Sequence, residues 1–160
     1  MKKFSIVLFL FLNSCVTQYQ PKSFSGGYAD TRIDKNIFRV SFSGNGYTAK
    51  ERVQDFVLLR SAELALENGF EYFIIVNSEN TTDYSSYTSP ENHTTQGSVN
   101  MYGNTATYNS HTVSTGGQTY LISKPSSTNL ILCFKEKPEV NSIVYNASFI
   151  SSSIKKKYNL

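Results

Sequence analysis

GNGYTAKERVQDFVLLRSAELALENG, residues Gly44–Gly69, decides how this chain folds. It reads as a glycine-rich turn, a helix of about twenty residues and a glycine stop. Thr48-Ala49-Lys50-Glu51 has the form of a capping box, in which the Thr48 hydroxyl accepts from the Glu51 N–H and the Glu51 carboxylate reaches back. Glu51 and Asp55 put negative charge at the positive end of the helix dipole. At 100° per residue, Val53, Phe56, Val57 and Leu64 form one apolar sector, and Leu58, Leu59, Ala62, Ala65 and Leu66 form a second. Two apolar sectors predict a helix covered by a sheet on one side and by something else on another. Arg52, Arg60, Glu63 and Glu67 share a polar sector and read as a solvated stripe of ion pairs.

Strand patterns flank this helix. Tyr28–Ile33 and Ile37–Ser43 read as two strands joined at Asp34-Lys35-Asn36, the second with Phe38, Val40 and Phe42 on one face. Beyond Gly69, Phe70–Val76 is apolar on both faces, as in a central strand, so a crossover would set two parallel strands in one sheet. Gln118–Ser123 and Asn129–Lys135 read as a hairpin around Lys124-Pro125-Ser126-Ser127. After Pro138, Ile143, Ala147, Ile150 and Ile154 step at helical spacing, ending in Lys155-Lys156-Lys157. The expectation is an α+β fold: a small mixed sheet of about five strands in ββαββα order, packed against one long helix, plus a C-terminal amphipathic helix.

Residues 77–119 depart from this pattern. More than half are Ser, Thr or Asn, and only Glu79, Asp83 and Glu91 are charged, so a mobile polar excursion is expected. Within it, a turn at Gly103-Asn104 would set Val99 and Met101 against Tyr108 and Ala106. His93 and His111 lie there without a nearby cysteine or carboxylate cluster, so no metal or other cofactor is expected.

At the other end, Lys2 and Lys3 precede the apolar run Phe4–Leu12, which is too short to span a bilayer. Leu12-Asn13-Ser14-Cys15 resembles the bacterial lipobox, with signal-peptidase cleavage between Ser14 and Cys15 and a diacylglyceryl group on the Cys15 thiol. The expected organisation is a signal peptide over 1–14, a lipidated tether over 15–26 and a single α+β domain over 27–160. An extended tether of ten residues would reach roughly 35 Å. Val16, in place of an Asp, favours the outer membrane, facing the periplasm. Without Lys2 and Lys3 the chain has 13 basic and 12 acidic residues, a balance that excludes nucleic acid as a partner.

The run GGYADTRIDKNIFRVSFSGNGYTAKERVQDFVLLRSAELALENGFEYFII resembles a family of small bacterial lipoproteins. Their core reads GGY, FRVxFxGNGYT, ER, LLRxAEL and GFxYF. KPSSTNLILCFKEKP and the terminal KKKY resemble the family's closing elements. The resemblance implies an envelope lipoprotein and brings no assigned activity.

The residues themselves point away from catalysis. Cys133 lies in an apolar strand without a histidine or cation beside it, and the carboxylates at the helix start serve the dipole. The expectation is a non-catalytic, lipid-anchored module, held in the membrane through palmitate and other acyl chains on Cys15. It would meet an envelope protein or the cell wall through Tyr84, Tyr87, Tyr102 and Tyr108 of the excursion. The alternatives are a small-ligand or anion site at the helix N-terminus, built from Asn45, Tyr47, Lys50 and Arg52, or an envelope enzyme.

Overall fold

The computed structural model describes residues 15–160; the signal-peptide reading of 1–14, including Ser14, lies outside them. The chain is mixed α+β. It divides into two units, one ending at Asp83 and resuming over Lys124–Leu160, the other spanning Tyr84–Ser123.

In the first unit, β1 (Gly27–Arg32) and β2 (Ile37–Ser43) pair antiparallel, and β2 leads into α1 (Lys50–Glu67). Then come β3 (Tyr72–Thr88) and β6 (Thr119–Phe134), of which Tyr84–Thr88 and Thr119–Ser123 belong to the second unit, and then the two-residue β7 (Tyr145–Asn146) and α2 (Ala147–Tyr158). Between β3 and β6 the chain makes β4 (Asn92–Tyr102) and β5 (Thr105–Thr115). The larger sheet has the order β1-β2-β6-β3-β7, while β4 and β5 form a sheet of two.

Direction follows from the cross-links. β2 is antiparallel to β6. Glu71 N–H bonds Phe134 O, and farther on Thr81 meets Ser126, so β3 rises in number as β6 falls. The strands before and after α1 therefore run parallel, as expected, with β6 between them.

One face of this sheet carries the core. Phe38, Val40 and Phe42 from β2, Phe73 from β3, and Ile131 and Cys133 from β6 cluster with Val53, Phe56, Val57, Ala62, Leu64 and Ala65 of α1. Phe56 lies at the centre, with ring centroids 5.1 Å from Phe42, 5.3 Å from Tyr19 and 4.9 Å from Tyr158. Besides the sheet, α1 is thus covered by α2 and by the segment around Tyr19.

Four expectations are corrected. First, Lys124–Ser127 is no turn, because β6 runs straight through it, with Ser126 opposite Ser43 and Ser127 opposite Phe42. Pro125 is tolerated because its N and C=O point the same way, past the end of β2, where its carbonyl accepts from Gly44 N–H at 2.8 Å. Second, α2 begins at Ala147, and Ile143 is 73% exposed ahead of it. Pairing of Tyr145 and Asn146 with Phe73 and Tyr72 keeps the chain extended until Asn146 caps the helix by accepting from Phe149 N–H at 2.8 Å. Third, residues 77–119 are strand for most of their length, because backbone pairing needs no apolar side chains. Fourth, Val76 is 56% exposed rather than buried. Phe73 and Ile75 face the helices, yet Ser78 and Asn80 line a cavity with Gln54 and Val57 of α1.

Truncating the central ring tests this core. Phe56→Ala is expected to lower unfolding free energy by about 3–5 kcal/mol in urea titration, the range for an aromatic removed from a packed interior.

Candidate anchoring site at the Gly44–Thr48 turn

Residues 15–26, expected to be a tether, are held to the domain at three points: the Cys15 carbonyl is hydrogen-bonded, Thr17 is buried and Tyr19 is half-buried. The alternation Thr17-Gln18-Tyr19-Gln20 explains why, since it buries Thr17 and sends the Tyr19 ring against Tyr28 and Phe56. The Tyr19 hydroxyl donates to Glu63 of α1. Burial first, and then that hydrogen bond, hold the phenol well above the ordinary tyrosine range.

The turn that follows β2 receives this segment. Gly44 is required by close approach: a Cβ there would lie 2.8 Å from Thr48 Cβ and 3.0 Å from Val53 Cγ2. Asn45 Nδ2 donates to Cys15 O at 2.6 Å, and Asn45 Oδ1 accepts from Tyr47 N–H at 3.0 Å and from the Thr48 hydroxyl at 2.9 Å. Thr48 Oγ1 in turn accepts from Thr17 N–H at 3.1 Å. Thr17 Oγ1 accepts from Asn45 N–H at 2.9 Å and donates to Ser25 O at 2.7 Å. Both hydroxyls and the amide are thereby donors and acceptors in one closed network, with Cys15 exposed at its margin.

This network corrects the capping box. Ala49, not Thr48, is the N-cap, and no side chain caps α1. Thr48 is buried and already committed to Thr17 and Asn45, so it has no lone pair aimed at Glu51.

The four residues proposed for ligand contact do not converge. Asn45 is occupied by the chain's own N-terminal segment, and Tyr47 is 74% exposed. Lys50 is exposed at the first turn of α1. Arg52 stacks over Tyr158 at 4.9 Å and Phe56 at 5.8 Å, away from the turn. Asp55 accepts from Lys157 Nζ and from the Tyr158 hydroxyl, each at 2.6 Å, so it ties α1 to α2 rather than serving the dipole. On the polar stripe, Arg60 reaches Glu67 at 2.7 Å and Glu63 at 3.8 Å, and also Asp30 of β1 at 2.9 Å. Burial opposes the Arg60 charge, but its hydrogen bonds to Asp30 and Glu67 outweigh that and raise its affinity for the proton. Beside the turn, Lys22, Phe24, Ser43, Gly44, Asn45 and Lys124 line a depression of about 430 Å³. Lys22 and Phe24 carry no signal of this in the sequence, because residues 21–26 lack a periodic apolar pattern.

The second unit is a ribbon. β4 and β5 pair over eleven positions, from Asn92↔Thr115 to Tyr102↔Thr105, with Val99 opposite Tyr108 and Met101 opposite Ala106 as expected. Gly103, at φ +60° in first position, makes the two-residue turn that hairpins favour. Every residue of both strands is exposed, and none from 92 to 123 is Asp, Glu, Lys or Arg. Thr95 and Thr112, and His93 and Ser114, hydrogen-bond across one face. His111 pairs with Gln96 in register and so lies on the opposite face from His93. No group of three or more metal-ligating side chains occurs among the described residues. Cys133 is fully buried, and burial pushes its thiol up to about 12.

Comparison with protein-family models, curated proteins and solved structures returns no match.

Two measurements check this site. Thr48→Val keeps the side-chain shape but strips the buried Thr17 N–H of its acceptor. Urea titration is expected to register a loss of about 1–3 kcal/mol, with faster hydrogen exchange at Thr17. Glu51→Gln, with no capping role to lose, should stay within about 0.5 kcal/mol of the parent. The Cys133 thiol gives a pH test. Its folded value lies above the ordinary 9.0, so its contribution is complete below pH 9 and is lost as pH climbs toward about 12. The urea midpoint should therefore fall more steeply above pH 9 in the parent than in Cys133→Ala.

Proposed function

We propose that this chain is a non-catalytic envelope lipoprotein, anchored by acyl chains on Cys15, that presents its uncharged ribbon to an envelope partner. The single observation that carries this reading is the placement of Cys15. The residue that follows the lipobox-like Leu12-Asn13-Ser14 is exposed, and its carbonyl is held by Asn45 in a closed hydrogen-bond network. Acyl chains contribute about 0.8 kcal/mol per buried methylene, so two or more of them hold a protein at a membrane. We place it in the outer membrane facing the periplasm, and in the small bacterial lipoprotein family that its GGY and FRVxFxGNGYT motifs resemble. Its architecture reads as a ββαββα unit with the ribbon inserted between the third and fourth strands.

The ribbon supports the second half of the reading. Among the described residues, β4 and β5 pair with no strand but each other, so each has an outer edge of backbone donors and acceptors. Isolated two-stranded ribbons are marginal in water, and charges that would repel an added strand are missing. A partner that supplies an extended strand fits this edge, with Tyr102 and Tyr108 as adaptable contacts.

The anchor and the ribbon separate experimentally. Cys15→Ser is expected to abolish palmitate labelling and release the protein from the membrane fraction; unchanged labelling sinks the anchor. Removing Tyr84–Ser123, which follows the boundary of the second unit, should abolish in-cell crosslinks to the partner. Crosslinks that survive this deletion would move recognition to the first unit.

A further inference from the structure

Phe24 is the most exposed apolar side chain of the described residues, at 110% of its reference accessibility. It does not dangle from a loose segment. Ser23 N–H bonds Gly26 O at 2.9 Å, Gly26 N–H bonds Ser23 O at 3.1 Å, and Lys22 N–H bonds Tyr28 O at 2.7 Å. Gln20 Nε2 adds bonds to the Ser23 and Ser25 hydroxyls at 3.0 and 3.2 Å. A hydrogen-bonded turn therefore holds an aromatic ring fully out in solvent. Lys22 and Lys124 line the depression beside it, and no acidic side chain does. Asn45 lines the same depression and also grips the Cys15 carbonyl, so the anchor point and the Phe24 turn belong to one face.

We propose that this face is a membrane-docking surface, in which Phe24 inserts at the headgroup–acyl boundary while Lys22 and Lys124 pair with the phosphates of anionic phospholipids. The proposal rests on the reading of Cys15 as acylated and goes beyond it. The anchor itself demands only a tether, whereas this surface fixes which side of the domain meets the bilayer. An aromatic ring with flanking cations is the chemistry that settles in that boundary layer.

The chain contains no Trp, so Phe24→Trp installs a sole indole, which can be excited selectively beyond the tyrosine absorption band. The full acylated chain would be reconstituted in phosphatidylcholine–phosphatidylglycerol vesicles whose acyl chains are brominated. Emission from the indole of the Phe24→Trp variant is expected to shift to the blue and fall roughly twofold, as for a ring buried several ångströms into the boundary. Ile143→Trp, exposed ahead of β7, should remain unquenched. Adding Lys22→Glu with Lys124→Glu to the Phe24→Trp variant should relieve its quenching while palmitate labelling stays constant. Labelled Phe24→Trp protein whose indole is unquenched, or equal quenching of the Phe24→Trp and Ile143→Trp variants, overturns the docking face alone. Absence of palmitate on the unmodified chain overturns the anchor and the face together.

Discussion

Phe56 is the side chain on which the first unit converges. It meets β2 through Phe42, α2 through Tyr158 and the N-terminal segment through Tyr19, all at edge-to-face geometry. Each contact brings an aromatic edge to an aromatic face, the arrangement that adds to simple burial. The polar groups around this cluster then follow from its packing. Once Tyr158 is seated on Phe56, its hydroxyl reaches Asp55, and once Tyr19 is seated there, its hydroxyl reaches Glu63. Lys155 and Lys157 complete these links at 2.7 and 2.6 Å from Glu63 and Asp55. Such partly exposed pairs contribute little by themselves; they settle the register of elements that apolar contact has already brought together.

The helix and its flanking strands were legible because their periods are strong. Phe38, Val40 and Phe42 alternate, and the stop at Asn68-Gly69 is where the helix ends. Three features were not legible, each for a local reason. Thr48 has the residue type of a cap, but a buried partner thirty-one positions away captured it. Pro125 looks like a turn residue until β2 is known to end opposite it. Residues 77–119 are poor in large apolar side chains, yet strands need only backbone partners, and Gly103-Asn104 provided the one local signal of where they reverse.

The glycine-rich turn shows a similar displacement of role. Its sequence carries the marks of an anion site: exposed amides, an asparagine between glycines and nearby cations. Its groups are spent instead on the chain's own backbone at Cys15 and Thr17. The cavity lined by Gln54, Ser127 and Asn129, at about 160 Å³, is smaller than ordinary small-molecule sites, which run from roughly 300 Å³ upward. The two buried polar residues in its wall sit among side-chain atoms that leave no buried donor or acceptor unpaired among the described residues.

The hydrogen bonds from Asn45 and Thr48 to the N-terminal segment have a mechanical consequence. A slack leash of ten extended residues would let a domain roam through tens of ångströms above its attachment point. Here the slack is taken up within two residues of Cys15, and the Tyr19 ring closes against α1 shortly after. For a domain held at that cysteine, a pull on the anchor enters the start of α1 directly. Its search for neighbours would then be motion in a plane, at nearly constant height, rather than exploration of a hemisphere. Under the proposed anchoring, a partner at that height would meet it at a raised effective concentration.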